Sequence, residues 1–102
     1  MNHEIFREIQ TLKRQLLPDE KVILFGSQAR GDEREDSDWD LLILLNKDKK
    51  TQEDDDKFAF PFVMMGWKNG AYISVKLYTK KDWEIHPSLL KYNVERDGIE
   101  IV

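Results

Sequence analysis

Leu24-Phe25-Gly26-Ser27-Gln28-Ala29-Arg30-Gly31, followed by the charged run Asp32 to Asp36 and then by Ser37-Asp38-Trp39-Asp40-Leu41-Leu42-Ile43, is the stretch on which the fold of this chain turns. An apolar run ends in a Gly-Ser turn, a polar connection follows, and a second apolar run opens with two aspartates one residue apart. A site assembled where strands end has this form.

Each half has its own chemistry. A small turn after a strand leaves backbone N–H groups unpaired. It also lets an anion approach, because Gly26 has no Cβ and Ser27 adds a hydroxyl donor. Phosphate is the natural ligand. In the second half, strand geometry points Asp38 and Asp40 to one face and Trp39 to the other. Two carboxylates at ~4 Å repel by roughly 4 kcal/mol at an effective dielectric near 20. A divalent cation removes that repulsion, and oxygen ligands favour Mg²⁺ or Mn²⁺. Taken singly, a Gly-Ser turn is an ordinary turn and an Asp-x-Asp an ordinary solvated strand start; together they describe a phosphate cradle facing a metal site.

Composition narrows the partners. The 102 residues suit one domain spanning 1–102, and 40% hydrophobic with 35% charged residues indicates a globular chain. A net charge of −4 offers no broad basic surface for long DNA or RNA. With no cysteine there is neither a disulfide nor a thiolate metal site. Met1-Asn2-His3-Glu4 lacks the blocks of a secretory signal. The apolar stretch Phe58 to Trp67 holds Pro61 and Gly66 and is too short for a bilayer, so the expectation is a cytoplasmic protein without membrane contact.

Outward from the central stretch, His3 to Leu17 predicts an amphipathic helix through Ile5, Phe6, Ile9, Leu12 and Leu16, stopped by Pro18. His3 is an ordinary exposed histidine. Lys21 to Phe25 predicts a short inner strand. Gln28 to Gly31 reads as a helical turn, with Arg30 near the cradle or simply on the surface. Asp40 to Leu45 predicts the second strand, with Leu41, Ile43 and Leu45 on one face and Asp38, Asp40 and Leu42 on the other. Trp39 could stack on a base, although its opposite orientation favours packing. Thr51 and Asp54 form a capping pair for a helix beginning near Gln52, and Pro61 is expected to kink or end it. Phe58, Phe62 and Met65 make its core stripe; the wider cluster from Phe58 to Trp67 is apolar on more than one side, leaving part of it for a protein-binding surface.

Asn69-Gly70 marks a turn into a third strand, Ala71 to Tyr78, with Ile73, Val75 and Leu77 facing the core. Thr79 to His86 reads as a polar connection, and His86, directly before Pro87, as a turn residue rather than a base. Pro87 to Asp97 predicts a helix stopped at Gly98, with a short edge strand from Ile99 to Val102. The order gives an α+β fold: a small mixed sheet with helices mostly on one face.

With ten residues between Ser27 and Asp38, the motif is Gly-Ser-x10-Asp-x-Asp. Together with Phe25, Ala29-Arg30-Gly31 and Ser37 to Ile43 it resembles the signature of the minimal nucleotidyltransferases of the DNA polymerase beta superfamily. The element order also resembles that family's core. The resemblance implies transfer of a nucleoside monophosphate from an NTP to a hydroxyl acceptor. Gly26, Ser27 and Arg30 would hold the triphosphate, and Asp38 and Asp40 would bind two Mg²⁺ ions.

The family carries a third acid on a later strand, and here Ser74 stands at that position. Serine is no carboxylate base, and Lys76 adds positive charge on the same face. Asp82 or Glu84 could replace the acid only if the connection after the strand folds back. Small members resembling this chain act as antitoxin-like partners of helical HEPN proteins, which implies ATP as substrate and a protein acceptor. The departure at Ser74 leaves open a catalytically impaired subunit that binds nucleotide or a partner.

Overall fold

The computed structural model describes residues 1–31, 38–85 and 88–102; the readings placed on Asp32 to Ser37, on His86 and on the helix start at Pro87 lie outside them. Helix α1 (His3–Leu16) opens under Asn2, whose side chain accepts the Glu4 and Ile5 N–H groups at 3.0 and 3.2 Å. Pro18 follows the C-cap Leu17, since it cannot supply the N–H that would continue the helix.

Four strands form one sheet in the order β3-β2-β1-β4: β1 (Lys21–Phe25), β2 (Trp39–Leu45), β3 (Ile73–Thr79) and β4 (Ile99–Glu100). β1 pairs antiparallel with β2 and β4, while β2 and β3 run parallel, so the sheet is mixed as expected. The short apolar β1 takes an inner place, and the brief β4 lies at the edge.

Alternation along each strand sorts the core into two layers. Val22, Leu24, Trp39, Leu41, Ile43, Leu45, Ile73 and Leu77 face Ile5 and Ile9 of α1 and Phe62, with Phe58 and Met65 packed alongside. On the opposite face Leu42 and Leu44 meet Trp83 and Val94, joined by Ile23, Phe25, Tyr78 and Leu90. The long helices cover the first face. Two further helices cover Leu42 and Leu44 on the second face and reach Phe25, while Asp40 stays only partly buried and Asp38 exposed.

The connection from Thr79 to His86 departs from expectation, because α5 (Lys80–Glu84) lies within it. Thr79 caps it, its hydroxyl accepting the Asp82 N–H at 3.1 Å, and Trp83 is buried against the second face. Five residues are too few to display a helical period, so the tertiary contact of Trp83 decides the conformation. The last helix, α6 (Leu89–Asp97), is capped by Ser88 and ends at Gly98. Gly98 is needed for space rather than for a left-handed turn: a Cβ there would press on the Val94 carbonyl and lie 2.7 Å from Ile23 Cγ2.

The segment over residues 52–68 is helical throughout, in three pieces. α3 (Gln52–Asp54) starts at Thr51, whose N–H donates to Asp54 Oδ2 at 2.8 Å, while Lys47 Nζ holds the same carboxylate at 3.0 Å. A π turn (Asp55–Ala59) leads into α4 (Phe60–Lys68). Pro61 neither ends nor breaks the run. Its ring would strike the carbonyl four residues back in a regular α-helix, and the π turn, with the Phe60 N–H reaching back to Asp55 O, opens that spacing. Of the apolar cluster, Phe62 is wholly buried, whereas Phe60, Met64 and Trp67 stand exposed on one stripe, with the Phe60 and Trp67 rings edge to face at 6.1 Å. No helix among the described residues is long and apolar enough to cross a membrane.

Candidate active site

The Asp38–Asp40 end of the second sheet face gathers the predicted residues. β1 stops at Phe25 and the chain reverses at Gly26, with φ 78° and ψ −161°, a backbone conformation in essence reserved for glycine. Ser27 begins the short helix α2 (Ser27–Arg30), closed by the Arg30 N–H on the Gly26 carbonyl at 3.1 Å and the Gly31 N–H on the Ser27 carbonyl at 3.0 Å. Gln28 turns inward and is buried, and Ala29 packs on the main core. The first N–H groups of such a turn have no partner within it, so they can meet an anion.

Strand register brings the acids to this turn. Phe25 is paired with Asp40 across β1 and β2, and Asp40 with Ser74 across β2 and β3, so the three side chains form one row on the same face. Asp38 immediately precedes β2 on that face. Trp39, opposite, is buried in the main core, which makes it a packing residue. A Cβ built at Gly26 would collide with Asp40 Oδ2 and lie 3.2 Å from its Cγ. The turn and the acid pair are therefore one site.

Burial of the half-covered Asp40 raises its carboxyl above the ordinary range, and the nearby Asp38 charge pushes the same way, while Lys76 and Arg30 pull it down. Arg30 also acts on Asp97 at the end of α6, whose carboxyl is lowered first by its hydrogen bonds to Arg96 and then by these two arginine charges. The Arg30 charge thus acts on both Asp40 and Asp97. Asp97 was invisible as a neighbour of the site in sequence, because only the packing of α6 over Phe25 and Leu42 brings it there.

Asp38 and Asp40 are the oxygen donors able to hold a hard divalent ion. Among the described residues no group of three or more His, Cys, Asp or Glu side chains converges. Ser74, which carries no acid, occupies the row position beside Asp40. Asp82 and Glu84 do not replace it: β3 runs away from the site to Thr79, paired with Leu45, about 17 Å along the strand from Asp40 at ~3.3 Å per residue.

Comparison with known proteins agrees with this geometry. The family described as "Nucleotidyltransferase domain" matches residues 5–99. A Methanocaldococcus jannaschii protein named "Putative protein adenylyltransferase" is 36% identical over 98 residues, covering 96% of this chain and 92% of its own. Among solved structures, a toxin-antitoxin with AMP-PNP superposes with a TM-score of 0.67 at 17% identity, covering 100% of this chain and 73% of that one. A mutant of the MntA-HpeT toxin-antitoxin gives 0.64 at 14% identity, over 95% and 71%. These low identities speak for the fold alone. With a family match over almost its whole length and a relative more than a third identical, the chain belongs to the nucleotidyltransferase domain family.

Proposed function

We propose that this chain transfers a nucleoside monophosphate, AMP in the first instance, from an NTP to a hydroxyl on a partner protein. The observation that supports the reading is the closeness of Gly26 to Asp40, where a Cβ built on the glycine would collide with the Asp40 carboxylate. The N–H groups of the turn and the Ser27 hydroxyl hold the triphosphate, and Arg30 adds a charged contact. Asp38 and Asp40 would hold Mg²⁺ or Mn²⁺, the hard cations that carboxylate oxygens favour. When bound, the cation stabilises charge on the phosphoryl oxygens. The acceptor oxygen attacks the α-phosphorus, the bond to the β,γ unit breaks, pyrophosphate leaves, and the acceptor proton passes to solvent.

A protein acceptor is favoured by the name of the M. jannaschii relative and by the toxin-antitoxin assemblies that share the fold. The exposed stripe of Phe60, Met64 and Trp67 supplies an apolar surface for such a partner, which we take to be a helical HEPN protein with this chain as its antitoxin. The cytoplasm, which holds ATP and Mg²⁺, is the compartment that fits. Incubation with α-labelled ATP, Mg²⁺ and the product of the adjacent gene tests the reading: label on the partner is expected. Absence of both label transfer and nucleotide binding would defeat it.

One observation favours a second reading. Ser74, in register with Asp40, cannot act as a carboxylate base, and general-base assistance is worth roughly 10²–10⁴-fold in rate. A domain that binds nucleotide and partner without turnover, as a regulatory subunit, follows from that loss. Nucleotide binding with no label transfer would select it; robust transfer abolished by Asp38→Ala would exclude it.

A further inference from the structure

The residues on the β3 side of the site set its charge. Ser74 sits beside Asp40 in the parallel register, and Lys76 follows two residues on, next to Leu42, on the same face. Both are exposed, and the Lys76 charge reaches Asp40. A cation shared between β2 and β3 would need an anionic donor on each strand. β2 offers Asp38 and Asp40; β3 offers a neutral hydroxyl and, one pleat further, an ammonium that repels any metal ion placed there.

Resting on the nucleotidyltransferase reading, we propose that the site takes one divalent cation with each nucleotide, held by Asp38 and Asp40, and that the Lys76 ammonium supplies on the β3 side the positive charge that a second cation would otherwise bring. The formal charges agree. Asp38 and Asp40 contribute two negative charges, which one divalent ion cancels, and the exposed Lys76 adds one positive charge on the β3 side. Lysine suits this work because its ammonium is a compact point charge on a flexible stem. The chemistry of the bound ligand is that of a nucleoside triphosphate carrying a single ion, with one further phosphate contact made by protein instead of metal.

Mn²⁺ titration followed by electron paramagnetic resonance, in the presence of AMP-PNP, measures ions per bound nucleotide without requiring turnover. One Mn²⁺ per nucleotide is expected for the natural sequence and two for Ser74→Asp. Lys76→Met should weaken AMP-PNP binding roughly tenfold, as loss of one charge-assisted contact does, and Lys76→Arg should restore most of it. Circular dichroism of each variant confirms that the exposed substitutions leave the fold intact. Two ions per nucleotide in the natural sequence, or unchanged AMP-PNP affinity in Lys76→Met, would overturn the proposal while leaving the nucleotidyltransferase reading in place. Absence of any nucleotide binding would overturn both.

Discussion

Gly26 and Asp40 exclude a side chain at one position by the presence of a side chain at the other: the space a Cβ would take at Gly26 is filled by the Asp40 carboxylate. Gly31 has the same φ of 78° but nothing within 4 Å of a built Cβ. Gly31, in the left-handed region at ψ 14°, shows backbone strain alone, whereas Gly26, at ψ −161°, combines a more forbidden backbone with the steric conflict. Gly31→Ala should cost about 1–2 kcal/mol of stability, the penalty for a left-handed L-residue, and leave nucleotide affinity near its starting value. Gly26→Ala should cost more and also lose nucleotide binding. Urea unfolding with ATP-analogue titration on both variants measures the contrast.

Asp40 is placed for function against stability. Its folded-state carboxyl is raised above the unfolded value of 3.8 by burial and by Asp38, so ionising it is harder in the folded chain. For a raised acid the contribution to stability is fully present below the unfolded pKa and is lost as pH rises through the folded one. Asp40→Asn should therefore unfold at higher urea than the natural sequence at pH 7, with the gain vanishing towards pH 3. Transfer activity should fall at least ~10²-fold in the same variant, since several kcal/mol of charge stabilisation are removed.

Asp54 has the opposite sign. The Thr51 N–H first, with Lys47 and the Thr51 hydroxyl, holds its carboxyl below the ordinary value of 3.8. A depressed acid contributes stability above its unfolded pKa and loses it as pH falls through the folded one. Asp54→Asn should lower the urea midpoint at pH 7, and the difference should close as pH drops below about 4. A constant difference across pH would assign the effect to packing alone.

The second core layer is small, which makes Trp83 its anchor. Trp83 is buried against Leu42 and Leu44 and tilts against Tyr78 with ring centroids 5.4 Å apart. Trp83→Ala should cost about 3–5 kcal/mol, read by chemical denaturation, because a large void opens under α5. A loss below ~1 kcal/mol would mean that α5 adds little to the fold.

Placing a carboxylate beside Asp40 tests the missing acid. Ser74→Asp should raise label transfer by up to ~10²–10⁴-fold if general-base assistance is what the site lacks. Equal rates in the two forms would show that acceptor deprotonation does not limit transfer.

Much of this was legible in the chain because the strands obey a period of two. The sides taken by Leu41, Asp40 and Trp39 follow from alternation, and the partnering of Ser74 with Asp40 follows once β3 is aligned. α5 was not legible, since five residues show no period and its reason to be helical, Trp83 on the second face, lies elsewhere in the chain. Arg30 near Asp97 was likewise hidden, because it depends on where α6 settles. The continuity of the 52–68 helix through Pro61 escaped a rule written for regular helices.

The π turn before Pro61 carries a historical consequence. An added residue in a helix and a proline in its middle are each damaging alone, yet here each accommodates the other. Deleting one residue between Asp55 and Ala59 would swing the Asp54 end about 100° around the axis, away from Lys47, and return the proline ring to a clash. Relatives that lack the added residue are expected also to lack the proline.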